Sequence, residues 1–195
     1  MSASGYSGAA AGMPGRTKEG GNFLLVLVIG GSGSGKSEYA EARVLLAGNL
    51  PRYYVATMEP YGDGAAERIG RHRALRAGKG FETVECACGL ERLHLPGRGA
   101  VLIEDLPNLL ANEIWSAHGR GFVSDLAKIV CDGIMRLLAA HELVVVVGND
   151  VHRDCGEMSG EMGRFLELLA RAHMLLAACA DEVTEVVCGI ALRVK

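Results

Sequence analysis

The apolar run Phe23-Leu24-Leu25-Val26-Leu27-Val28-Ile29 leads straight into Gly30-Gly31-Ser32-Gly33-Ser34-Gly35-Lys36-Ser37, and this junction constrains the chain more than any other stretch. The second segment satisfies G-x-x-x-x-G-K-[ST], in the context where that pattern has a mechanism: after a buried strand and before a helix. Glycines let the backbone curl until successive N–H groups point into one concavity. A phosphate then sits on those donors and on the positive end of the next helix. Lys36 is expected to reach the outer phosphates, and the Ser37 hydroxyl to ligate Mg²⁺. All eight residues, Gly30, Gly31, Ser32, Gly33, Ser34, Gly35, Lys36 and Ser37, are therefore read as nucleotide-binding.

The rest of the chain repeats the strand–helix alternation. Lys36 to about Ala47 reads as a helix closed by Gly48-Asn49, and Arg52 to Thr57 as a short strand. Met58 to Gly64 carries loop residues, and 65–76 returns to a helical, arginine-dense composition. Phe81 to Cys86 alternates like a strand, and GAVLIE (99–104) is a stronger one. Leu106–Trp115 and Phe122–His141 read as helices. Glu142 to Gly148 is the unbroken apolar run of a strand buried on both faces. A polar loop from Asn149 to Gly160 precedes a long helix at about 161–179. Glu182–Cys188 and Ile190–Val194 read as two strands joined at Gly189. Such alternation predicts one α/β domain, 23–195, with a mostly parallel sheet covered on both faces and a C-terminal antiparallel hairpin. Residues 1–22, rich in Gly, Ala and Ser, read as a disordered tail.

Ligands bind at the carboxyl ends of the strands in such sheets, so the phosphate loop, Thr57, Glu104 and Asn149-Asp150 should gather at one edge. A phosphate loop needs an acidic partner for magnesium at the end of a buried strand. Val101-Leu102-Ile103-Glu104 has that form, with Asp105 next, while Asp150 competes from the end of the VVVV strand. Either acid also suits a helix N-cap. Glu104 is the favoured contact for metal or nucleotide.

Composition excludes more than it selects. The net charge of −3 supplies no field for nucleic acid or anionic membrane, and no segment has the length and apolarity of a membrane span. Six cysteines, at 86, 88, 131, 155, 179 and 188, form no C-x-x-C pair. They read as reduced thiols of a cytoplasmic protein, and their spacing argues against zinc. On a helix, Arg68, His72 and Arg76 share a face at i, i+4 and i+8. Guanidinium groups disfavour imidazole protonation and leave His72 a neutral nucleophile beside groups that hold phosphate. Spacing alone favours the plainer reading, a solvated basic helix.

Taken together, GGSGSGKS, YYVAT (53–57), RIGRHRALR (68–76), TVE (83–85), VLIED (101–105) and the ending ADEVTEVVCGIALRVK resemble the bifunctional adenosylcobinamide kinase/adenosylcobinamide-phosphate guanylyltransferase family. The resemblance spans about residues 23–195. It implies a RecA-like P-loop NTPase fold in three layers, a homotrimer, and two reactions of cobalamin biosynthesis. In the first, a nucleoside triphosphate, ATP or GTP, phosphorylates the hydroxyl of adenosylcobinamide. In the second, His72 attacks the α-phosphate of GTP and passes GMP to adenosylcobinamide phosphate. It further implies that Thr57, Met58, Arg73, Arg76, Glu85 and Glu104 contact nucleotide. Departures from the family pattern fall at Gly33, where arginine is usual, and at Asp63-Gly64-Ala65. Others fall at Asn149–Asp154 and at Phe165-Leu166-Glu167, Ala170, His173 and Met174. The nucleotide side is retained, so the departures bear on the acceptor. The alternatives are a single-activity kinase or nucleotidyltransferase with another acceptor, or a nucleotide-binding regulatory protein without turnover.

Overall fold

A computed structural model describes residues 23–59, 70, 78–151 and 160–195. The expected tail, nearly all of the expected 65–76 helix and most of the 149–160 loop lie outside them. Within the described residues, seven strands form one sheet: β1 (Leu24–Ile29), β2 (Arg52–Ala56), β3 (Phe81–Glu85), β4 (Ala100–Glu104), β5 (Leu143–Val147), β6 (Glu182–Val187) and β7 (Ile190–Arg193). Their spatial order is β3-β2-β4-β5-β1-β6-β7. The first six run parallel, and β7 turns back, antiparallel to β6.

The apolar runs account for this order. All five residues of β5 (LVVVV) and four of the six in β1 are buried, as strands flanked on both sides and covered on both faces must be. Leu24 pairs with Leu143 and Val28 with Val147, so the two richest runs form the centre. Alternation then sends side chains to opposite layers. Leu25, Leu27, Val101, Ile103, Val144 and Val146 meet three helices: α2 (Leu106–Trp115), α3 (Leu126–Ala140) and α4 (Gly160–Cys179). Val26, Val28, Leu102 and Val145 meet α1 (Lys36–Leu45) through Ala40 and Val44. Each large aliphatic side chain so buried contributes roughly 1.5–3 kcal/mol.

Local chemistry sets the boundaries. Asp105 accepts the Asn108 amide (2.8 Å) as N-cap of α2, with Pro107 in the first turn. Arg43 of α1 grips both carboxylate oxygens of Glu182 on β6 at 2.9 Å. The β6–β7 connection uses Cys188 and Gly189, both at positive φ (50° and 78°), the two-residue turn whose twist matches a hairpin. The expected boundary that moves furthest is the start of the helix predicted from Phe122, which begins at Leu126. Phe122 is drawn out of helical register by Trp115, whose ring it meets edge-on at 5.8 Å, and by Arg164, whose guanidinium lies 4.2 Å over its face.

Candidate nucleotide and metal site

The phosphate loop leaves β1, whose two neighbours, β5 and β6, are both parallel to it and both come from the far end of the chain. Three backbone ties seat it. Ser34 N–H donates to the Gly31 carbonyl (3.2 Å), closing the curl. Asp150 N–H donates to the Gly30 carbonyl (3.3 Å), and Gly189 N–H to the Ser34 carbonyl (2.8 Å). The C-terminal hairpin tip therefore buttresses the loop, a role nothing local in the sequence announces. Gly30 sits so close to its neighbours that a Cβ there would lie 2.5 Å from Ser34 Oγ and 2.6 Å from the Val186 carbonyl. Gly35, at φ 89°, turns the loop into α1. Ser32, Gly33 and Gly35 are exposed, and Lys36 Nζ lies over the loop, donating to the Gly31 carbonyl at 3.1 Å.

The favoured carboxylate is the one brought to the loop. β4 lies two strand spacings from β1, about 10 Å, and α1 crosses the intervening β5 to cover that gap. Ser37, in the first turn of α1, consequently donates its hydroxyl to Glu104 Oε1. Glu104 Oε2 accepts from Tyr54 Oη at 3.1 Å. Asp150, one strand nearer, joins the loop through its backbone amide. Asp105 remains the cap, and burial, with Glu104 alongside, pushes its carboxyl up to about 6.

Thr57 is fully buried, and its hydroxyl is engaged at the Asp105 backbone: it donates to the carbonyl (2.9 Å) and accepts from the amide (2.6 Å). Met58 follows it, half-buried. Glu85 is exposed at the end of β3, four strand spacings from β1 or about 19 Å, so the structure does not bring it against the phosphate loop. His72, Arg73 and Arg76 lie outside the described residues.

Sequence reasoning missed Asn112 and Glu113, both on α2. Asn112 Nδ2 donates to the carbonyls of Thr57 (2.6 Å) and Ala87 (3.1 Å), joining the segments that follow β2 and β3. Glu113, fully buried, accepts the Gly89 amide (2.6 Å), with Arg120 Nε 3.8 Å away. The only local signal was polarity on an otherwise apolar helix. Burial pushes Cys86 up to about 11 and Cys131 up to about 12, which leaves both as unreactive thiols. Cys86 and Cys88 lie just beyond β3, which ends at Glu85. No described helix is long and apolar enough to cross a membrane.

The arrangement is a phosphate cradle with a lysine above it and a hydroxyl–carboxylate pair beside it, the recurring apparatus of P-loop phosphoryl transfer. A solved ATPase domain has a similar fold, with a TM-score of 0.50 at 12% identity, covering 85% of this chain and 69% of that one. Two relatives are named bifunctional adenosylcobalamin biosynthesis protein CobU. The Salmonella typhimurium protein is 31% identical over 185 residues, and the Escherichia coli protein 30% over 184. Each match takes in 88% of this chain and the whole of the relative. The model of the cobinamide kinase/cobinamide phosphate guanyltransferase family matches residues 26–194, from the first strand through the last. With its phosphate loop, its strand-end carboxylate and its closing hairpin all inside that match, the chain belongs to the cobinamide kinase/cobinamide phosphate guanyltransferase family.

Proposed function

We propose that this protein is a cytoplasmic, homotrimeric enzyme that phosphorylates adenosylcobinamide and then transfers GMP from GTP to the product. The observation that carries the reading is the Ser37–Glu104 contact beside a fully formed phosphate loop, within a family match that spans the domain. Hard oxygen donors from a hydroxyl and a carboxylate suit Mg²⁺. When bound, that ion would neutralise charge on the phosphate oxygens. The loop amides and the α1 N-terminus hold the phosphates, and Lys36 offsets charge on the transferred group.

In the second reaction, the His72 imidazole nitrogen attacks the α-phosphorus of GTP. An N–P bond forms as the bond to pyrophosphate breaks. An oxygen of cobinamide phosphate then attacks the same phosphorus, and the N–P bond breaks to release the histidine. Division into two displacements replaces one difficult transfer with two easier ones. Arg73 and Arg76, close to His72 in sequence, are assigned to the phosphates, and Met58 and Glu85 to nucleotide contacts away from the loop.

Incubation with α-labelled GTP, denaturation and a search for an acid-labile, base-stable adduct tests this reading. Label is expected on the wild type, absent from His72→Ala, and chased onto cobinamide phosphate. Absence of any adduct overturns the guanylyl-transfer step, and an adduct that does not chase assigns another acceptor. Turnover of adenosylcobinamide with ATP and with GTP separates a retained kinase from a lost one and identifies the donor. Light scattering should return three times the mass of one chain.

A further inference from the structure

Glu104 has two carboxylate oxygens with different partners. Oε1 faces the Ser37 hydroxyl, and Oε2 accepts the Tyr54 hydroxyl at 3.1 Å. The second contact follows from strand register. Tyr54 on β2 stands directly opposite Leu102 on β4, and Glu104, two residues further along β4, projects from the same sheet face. The tyrosine ring therefore has to lean only along its strand to reach the carboxylate. The ring is held there: Tyr54 is 3% exposed and Phe81 of β3 packs edge-on against it at 6.2 Å and 82°. A buried, packed phenol ends at one oxygen of the very carboxylate whose other oxygen meets the phosphate-loop serine.

We propose that Tyr54 is a positioning residue for the metal: by holding Glu104 Oε2, it presents Oε1 to the ion shared with Ser37. The proposal rests on the reading that Ser37 and Glu104 hold Mg²⁺. Without a partner on Oε2 the carboxylate rotates about its terminal bond, and an ion recruiting Oε1 must first stop that rotation. Hydrogen bonds that orient a metal-ligating group are worth roughly 10–100-fold in metal affinity.

The test uses full-length wild type, Tyr54→Phe and Glu104→Gln, with Mn²⁺ as probe. Tyr54→Phe removes one oxygen and keeps the ring that packs on Phe81. Mn²⁺ binding is titrated by electron paramagnetic resonance with a non-hydrolysable GTP analogue present, and analogue affinity is measured separately in EDTA. Tyr54→Phe should weaken Mn²⁺ binding about 10-fold and leave metal-free analogue affinity within about 2-fold. Its kinase turnover should recover as Mg²⁺ is raised. Unchanged Mn²⁺ affinity in Tyr54→Phe, with a loss in Glu104→Gln, overturns the role of Tyr54 and leaves the metal reading standing. Unchanged affinity in both overturns the metal reading and this proposal with it. An equal fall of Mn²⁺ and metal-free affinity in Tyr54→Phe means a general structural defect and also overturns it.

Discussion

β4 and β5 are neighbours, both buried, both ending in acidic loops at the same edge of the sheet, yet they serve the phosphate loop differently. β4 ends in Glu104, whose side chain meets Ser37 and Tyr54. β5 runs into Asn149-Asp150 and offers the loop a backbone amide, on the Gly30 carbonyl. The strand next to β1 is thus tied to the loop backbone, whereas the strand one further away supplies the carboxylate. Distance explains the division. Ser37 lies in the first turn of α1, which leans across β5, so its hydroxyl arrives over β4.

The sharpest way to break that comparison is to exchange charge for amide at each strand end. Glu104→Gln should lower kinase turnover by about 10²–10³-fold, the several kcal/mol that a metal-holding carboxylate supplies. Asp150→Asn, which keeps the backbone tie, should stay within about 3-fold of wild type. Equal losses in the two variants would return Asp150 to the metal.

Next in size is the close seating of the loop against β6. Gly30→Ala places a methyl 2.5 Å from Ser34 Oγ and 2.6 Å from the Val186 carbonyl, so loop and β6 must part. Urea melts should show a loss of about 2–3 kcal/mol, and nucleotide affinity should fall with it. A variant as stable as wild type would show that the loop is not seated on β6.

Smaller again is the clamp behind the β4 end. Asn112→Leu matches the side chain in size but leaves the Thr57 and Ala87 carbonyls without their amide donor. The expected cost is about 1–2 kcal/mol by chemical denaturation. Faster amide exchange in the segments after β2 and β3, with the β5 end unaffected, would place the loss where the comparison requires it.

The smallest effect is at the opposite end of β5. His141, buried against the Tyr53 ring at 5.8 Å, has its pKa held below the usual histidine value, first by burial and then by Arg98. The unfolded chain therefore takes up the proton first as pH falls. The stability His141 contributes is full above about pH 6.5 and declines below it. Wild type should lose stability relative to His141→Phe between about pH 7 and 5, with no matching change in Mg²⁺-dependent nucleotide binding. A flat difference across that range would remove the histidine from the pH response.

Much of the fold was legible because its causes are local. The runs LLVLVI and LVVVV, the phosphate-loop glycines, and Asp105 followed by Pro107 each act within a few residues. β1, β5, α2 and the closing hairpin accordingly fell where expected. The start of α3 was misplaced because Phe122 answers to the rings and charge of Trp115 and Arg164, contacts that helical periodicity does not register. The same holds for the site. The sequence pattern favours Glu104 over Asp150 but does not register that its carboxylate meets Ser37, and the spacing of 68–76 by itself favours a solvated basic helix over a nucleophilic His72.

The sequence by itself determined that this chain is an α/β protein with a phosphate-binding loop, because periodicity and loop glycines are properties of adjacent residues. Family membership was legible there too, in motifs taken in order along the chain. Only the tertiary structure decided which carboxylate meets Ser37, that Tyr54 holds its other oxygen, and that Gly189 buttresses the loop from the far end of the chain. Those contacts depend on strand order and register, which arise from pairing residues as distant in the chain as Val26 and Glu182. No short stretch of sequence carries that information.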